Sequence, residues 1–167
     1  VTWEFSNIGG IKMKKVLLVL LIFAVSMLTT GLAAKDTVIG ADSEHFGDIQ
    51  IKKGNLRIGE SADVMGNIFI EEGDLFIADD VDIVGSVTIK KGNIFIKDDV
   101  DITKIVTIEQ GNTSMEESND IHADVICKKG TVKMGRNNDI IGDVYAKELK
   151  RGANSDIQGK FIKTEEH

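Results

Sequence analysis

The chain of 167 residues has no proline, one cysteine, one tryptophan and one tyrosine. Without proline every residue can donate a backbone hydrogen bond, as strands paired on both sides require. The single cysteine, Cys127, excludes an intramolecular disulfide framework and any paired-cysteine motif. His45, His122 and His167 are scattered without metal-ligand spacing, and no phosphate-cradling loop or Ser/His/Asp set is present. The sequence carries no catalytic constellation, so the protein is not expected to be an enzyme. It also lacks long hydrophobic runs, with one exception near its start.

That exception is Met13-Lys14-Lys15 followed by the apolar run Val16 to Leu28, then Gly31, Ala33 and Ala34. A basic start, an apolar stretch and small residues are the parts of a secretory signal, with cleavage expected after Ala33 or Ala34. On this reading residues 1–12 are an upstream extension and 13–34 the signal peptide, and the protein is exported. The alternative is an uncleaved membrane anchor through residues 16–34, nearly long enough to span a bilayer. The net charge is −7, and removing residues 1–34 takes away Lys12, Lys14, Lys15 and Glu4, leaving −9. Nucleic acid is therefore not an expected partner.

What the chain has in abundance is a repeat. An Asp before a β-branched residue recurs at Asp63, Asp82, Asp101, Asp120 and Asp139 in steps of 19, then at Asp156 after a step of 17. Glycine marks two more fixed points, one at Gly54, Gly73, Gly92, Gly111 and Gly130, the other at Gly47, Gly66, Gly85, Gly142 and Gly159. Lys104 and Ala123 interrupt the second series. Between these marks apolar residues alternate, as in Ile49/Ile51, Ile68/Ile70 and Val87/Ile89, then Leu56/Ile58, Leu75/Ile77 and Ile94/Ile96. A period of 2 in β-branched residues predicts half-buried strands.

Three short strands per repeat, separated by two glycine corners and one Asp/Ser/Asn corner, predict an all-β, single-stranded triangular β-solenoid. Six to seven rungs stacked at about 4.8 Å give a length on the order of 30 Å. Residues 35–46 form a partial N-terminal rung or cap in which Phe46 covers the end of the core, 47–163 the repeats, and 164–167 a polar tail. Phe161 falls on the inward series of Val144. Basic and acidic pairs alternate along the stack, from Lys52-Lys53 through Glu71-Glu72, Lys90-Lys91, Glu109-Gln110 and Lys128-Lys129 to Lys147-Glu148. Opposite charges then meet on adjacent strands, and a slip of one rung sets like against like. The fourth repeat is the weakest, because Thr113, Met115 and Asn119 replace better core formers.

The stacked Asp corner is one candidate site, with Asp80, Asp82, Asp99 and Asp101 as possible calcium ligands; no other cofactor is expected. The competing reading has each Asp accept hydrogen bonds from its own turn, and the missing GGxGxD pattern favours it. Phe69, Phe76 and Phe95 face outward by the alternation, Phe76 and Phe95 on one column. With Phe46 and Phe161 they are the candidate surfaces for self-association. Cys127 lies on an inward series as a small buried hydrophobe.

The run VIGADSEHFGDIQIKKGNLRIGESADVMGNI, Val38 to Ile68, resembles the start of a bactofilin domain, the polymer-forming bacterial cytoskeletal family. The resemblance rests on the early Val-Ile-Gly, the corners Gly47-Asp48-Ile49 and Gly66-Asn67-Ile68, and the Gly-Asn-Leu-x-Ile run at Gly54 to Ile58, features that recur to about residue 162. It implies a right-handed triangular β-helix that assembles end to end without nucleotide as an envelope scaffold. The export signal and the absence of proline depart from the family. The expectation is an exported, non-enzymatic scaffold whose partners are further copies of itself and cell-envelope components. The alternative is a monomeric exported binding module that presents the acidic corner or the Phe column to calcium, a glycan or a surface protein.

Overall fold

A computed structural model describes residues 35–165. The expected extension, signal or anchor, and the last two residues of the tail lie outside the described residues.

The described chain is all-β and winds into a solenoid of seven rungs with three parallel sheets of seven strands each. The first sheet runs through Thr37–Ile39, Leu56–Ile58, Leu75–Ile77, Ile94–Ile96, Thr113–Met115, Thr131–Met134 and Glu148–Arg151. The second runs through Glu44–Phe46, Asp63–Met65, Asp82–Ile83, Asp101–Ile102, Asp120–Ile121, Asp139–Ile140 and Asp156–Ile157. The third runs through Ile49–Lys53, Ile68–Glu72, Val87–Lys91, Val106–Gln110, Val125–Cys127, Val144–Ala146 and Phe161–Lys163. Register is one repeat per rung, with Leu56 beside Leu75, Ile83 beside Ile102 and Ile70 beside Ile89. The alternation read from the sequence thus turns one aliphatic row of each strand inward, and Leu56, Ile68, Leu75, Ile83, Ile94 and Ile108 are completely or almost completely buried. No single rung encloses such a core; stacking does.

The corners differ from the expectation in one respect. Positive φ falls at Gly54, Gly73, Gly92 and Gly111, but in the second glycine series only at Gly47. Gly66 is required by contact instead, since a Cβ there would lie 2.2 Å from Gly47 O. The third corner takes left-handed backbone at every rung, at Asp42, Ser61, Asp80, Asp99, Ser118, Asn137 and Asn154, with φ between 52° and 59°. Asp, Asn and Ser tolerate this region because their short polar side chains bond locally. The conspicuous Asp-Ile marks are not that corner; they lie two residues further on, within the second sheet.

Side-chain ladders tie the rungs together at the glycine corner. Asn55 Oδ1 accepts from Asp74 N at 2.9 Å, Asp74 Oδ1 from Asn93 N at 2.7 Å, Asn93 Oδ1 from Asn112 N at 3.0 Å and Asn112 Oδ1 from Thr131 N at 2.9 Å. The alternating charges pair as expected, Glu72 with Lys53 at 3.7 Å and Lys91 at 3.4 Å, Glu71 with Lys90 at 3.6 Å, Glu109 with Lys128 at 3.4 Å. The series stops at Lys128-Lys129: Glu148 pairs in register with Thr131, past the corner, so Lys147-Glu148 does not continue it. The step of 17 arises because the last full rung lacks an equivalent of that lysine pair.

The fourth repeat is better built at Asn119 than its composition implied, but not at Thr113. Asn119 is buried and fully bonded, its backbone N–H and side-chain amide both reaching Asn138 Oδ1. Thr113 is buried with its hydroxyl unpartnered.

Candidate functional site

The outward aromatic column lies on the first sheet. Arg57, Phe76 and Phe95 occupy successive rungs, with the Arg57 guanidinium 4.2 Å from the Phe76 ring centre and the two rings stacked at 5.0 Å and 9°. Both faces of Phe76 are therefore covered, one by a cation and one by Phe95. Phe95 is 40 % exposed with Ser114 beside it on the next rung, and a groove lined by Ser114, Glu116, Glu117 and Arg136 has its acids in ion pairs, Glu116 with Lys97 at 2.7 Å and Glu117 with Arg136 Nε at 3.0 Å. A column stacked on itself fixes register more than it offers a platform. Phe69, on the third sheet, is half-buried beneath Lys90, whose ammonium lies 5.2 Å from the ring centre.

Phe46 does not cover the end of the core. It points outward and is 51 % exposed, while His45 turns inward in register with Val64. The repeat explains the correction, because Val64 is inward and Met65 outward one rung later. Phe161 does sit on the Val144 column, at the last rung, and is 42 % exposed there.

With Phe46 facing out, the second sheet shows a surface that the sequence reading missed. Phe46, Met65 (44 %) and Val84 (50 %) form an exposed apolar column over three rungs, and Ile141 extends the same position further along. Its signal is the apolar residue two places after Glu44, Asp63, Asp82 and Asp139, which shares their outward face. Beside it Asp63, Asp82, Asp101, Asp120, Asp139 and Asp156 stand in register.

These carboxylates do not bond to their own turns. Asp101 meets His122 Nε2 at 3.0 Å, so His122 has a partner that its spacing did not reveal. Asp82 is raised above the ordinary carboxylate value by partial burial and then by Asp101, Asp63 and Asp80; Asp120 is raised by burial, Asp139 and Asp101. Asp80 and Asp99 take the left-handed corner, Asp80 Oδ2 accepting from Ser61 Oγ at 3.0 Å. Among the described residues no three acidic, histidine or cysteine side chains converge on a point that could hold a metal ion. Cys127 is buried, its thiol pushed up to about 11 by burial.

Fold and surfaces define a β-solenoid repeat protein whose exposed features include the last rung, an acidic column and an apolar column. No family model, curated protein or solved structure matches the chain.

Proposed function

We propose that the protein is a non-enzymatic structural rod of the bactofilin kind, exported and associating with itself through its terminal rungs as a scaffold of the cell envelope. The observation that carries this reading is that all three sheets end on strands with no further strand beside them among the described residues: Thr37–Ile39, Glu44–Phe46 and Ile49–Lys53 at one end, Glu148–Arg151, Asp156–Ile157 and Phe161–Lys163 at the other. Unpaired parallel edges over a continuous aliphatic core are templates for pairing with another chain. The sequence supports export and the bactofilin resemblance.

A second reading, a monomeric binding module, is favoured by the Phe46–Met65–Val84 column beside the acidic column, a surface suited to a protein partner that is both basic and apolar. Sedimentation velocity and electron microscopy of the full chain over a range of concentrations separate the two. Elongated end-to-end species support the scaffold. A single solenoid at every concentration refutes it and leaves the binding module.

A further inference from the structure

The two ends of the solenoid are chemically unlike. On the first sheet one inward column runs Ile39, Ile58, Ile77, Ile96, Met115 and Met134, and its seventh member is Arg151. On the third sheet another runs Ile51, Ile70, Ile89, Ile108 and Cys127, and after Ala146 it ends on Lys163. Both columns are uncharged for six rungs and both close with a cation. Neither Arg151 nor Lys163 is ion-paired to a described residue. Of the other inward positions of the last rung, Leu149, Ile157 and Phe161 are apolar and partly exposed, and Ser155 is buried, its hydroxyl accepting from Asn138 N and donating to Gly135 O.

We propose that the seventh rung is a stop, in which Arg151 and Lys163 close the C-terminal end to strand stacking. This rests on the scaffold reading above and restricts it: association cannot propagate head to tail. Continuing the stack with the first rung of a second copy would lay Ile39 on Arg151 and Ile51 on Lys163. It would also set Glu148 on Asp36 and Asp156 on Glu44. A charge on an inward column is walled in by the other two sheets once a further rung covers it, so its long arm cannot reach back to water. Burial of two unpaired cations then outweighs the hydrogen bonds that the strand edges return. Inward-pointing charge on a terminal strand is a known means of refusing edge-to-edge pairing.

The test compares the full chain with Arg151→Ile/Lys163→Ile and with Arg151→Glu/Lys163→Glu, using light scattering for mass, electron microscopy for length and thermal melting to establish that each variant is folded. The wild type is expected to form no particle longer than two solenoids. The isoleucine variant, with an apolar C-terminal face, is expected to lengthen and at least double its mass. The glutamate variant is expected to match the wild type, because charge of either sign keeps the end closed. Two results would overturn the stop: a folded isoleucine variant of unchanged mass, or wild-type particles longer than two solenoids, which the glutamate variant would disperse if the basic end is a docking surface. A wild type that stays single at every concentration refutes the scaffold instead. The isoleucine variant still reports on the stop in that case, because two apolar C-terminal faces can join each other whatever the first rung does.

Discussion

Asn119 and Asn138 lie one rung apart on an inward column, and the backbone N–H and side-chain amide of Asn119 both donate to Asn138 Oδ1 at 2.9 Å. The chain continues on either side. Val100 N donates to Asn119 Oδ1 at 2.9 Å, Asn138 N to Ser155 Oγ at 3.0 Å, and Asn138 Nδ2 to Glu116 O at 2.8 Å. The same column carries Ala62, Val81 and Val100 in the earlier rungs. The solenoid therefore changes half-way from apolar packing to a buried polar ladder at one position, and polar groups buried this way are tolerated because each is bonded.

Asn138→Ala leaves two buried donors of Asn119 without an acceptor. Each unmade bond of this kind costs about 1–3 kcal/mol. Urea denaturation is expected to show a loss near the upper part of that range, with the midpoint lowered and the slope unchanged. A loss below about 0.5 kcal/mol would mean that water replaces the amide and that the ladder is not a stability element.

How much of this was legible in the sequence follows from what each signal measures. The 19-residue period and the β-branched alternation are carried by side chains, so rungs, strands and register could be read directly. Backbone φ leaves a weaker trace. The left-handed corner falls at Asp80, Asp99 and Ser118, two residues before the Asp-Ile marks that the repeat makes conspicuous. A capping role for Phe46 has no support from the repeat, because Met65, its equivalent one rung later, faces outward. Asn119 counts against the fourth repeat in the sequence because burial of an amide depends on partners in adjacent rungs, which a count of apolar residues cannot register.

Thr113 presents the opposite case from Asn138. It follows Leu56, Leu75 and Ile94 on its column, is fully buried, and its hydroxyl has no partner. Thr113→Val keeps the branched shape and removes the unpaired group, so a gain of about 1 kcal/mol is expected. Thermal melting of the two proteins checks it. A destabilised valine variant would show that the hydroxyl is satisfied in solution.

The charge ladder predicts a salt-dependent defect. Glu72 is bracketed by Lys53 and Lys91, and Glu71 faces Lys90. Lys90→Glu/Lys91→Glu sets like charges opposite one another on three successive rungs and removes the cation over Phe69. Exposed pairs of this kind contribute roughly 0.2–1 kcal/mol each, so the double variant is expected to lose about 1–2 kcal/mol. Raising the salt to about 1 M, where screening acts within about 3 Å, should recover much of it. A loss indifferent to salt would assign the effect to packing.

The acidic column on the second sheet predicts how stability depends on pH. Asp82 lies between Asp63 and Asp101 with Asp80 nearby, and Asp120 between Asp101 and Asp139 with His122 nearby. In both, partial burial and then the neighbouring carboxylates raise the folded value above the ordinary 3.8. A raised acid binds its proton more tightly in the folded chain than in the unfolded one. Ionisation at neutral pH therefore costs stability, and the cost disappears as pH falls through the raised value toward 3.8. Asp82→Asn/Asp120→Asn removes the repulsion at every pH. The double variant is expected to be more stable than the wild type at pH 7 by several tenths to about 1 kcal/mol, because the groups are exposed and screened. That advantage should shrink on acidification and vanish near pH 4. Melting both proteins from pH 7 to pH 4 in the same low-salt buffer gives the difference directly. An advantage that is constant with pH would show that the gain comes from amide hydrogen bonding along the column, and that the stacked carboxylates do not repel one another measurably.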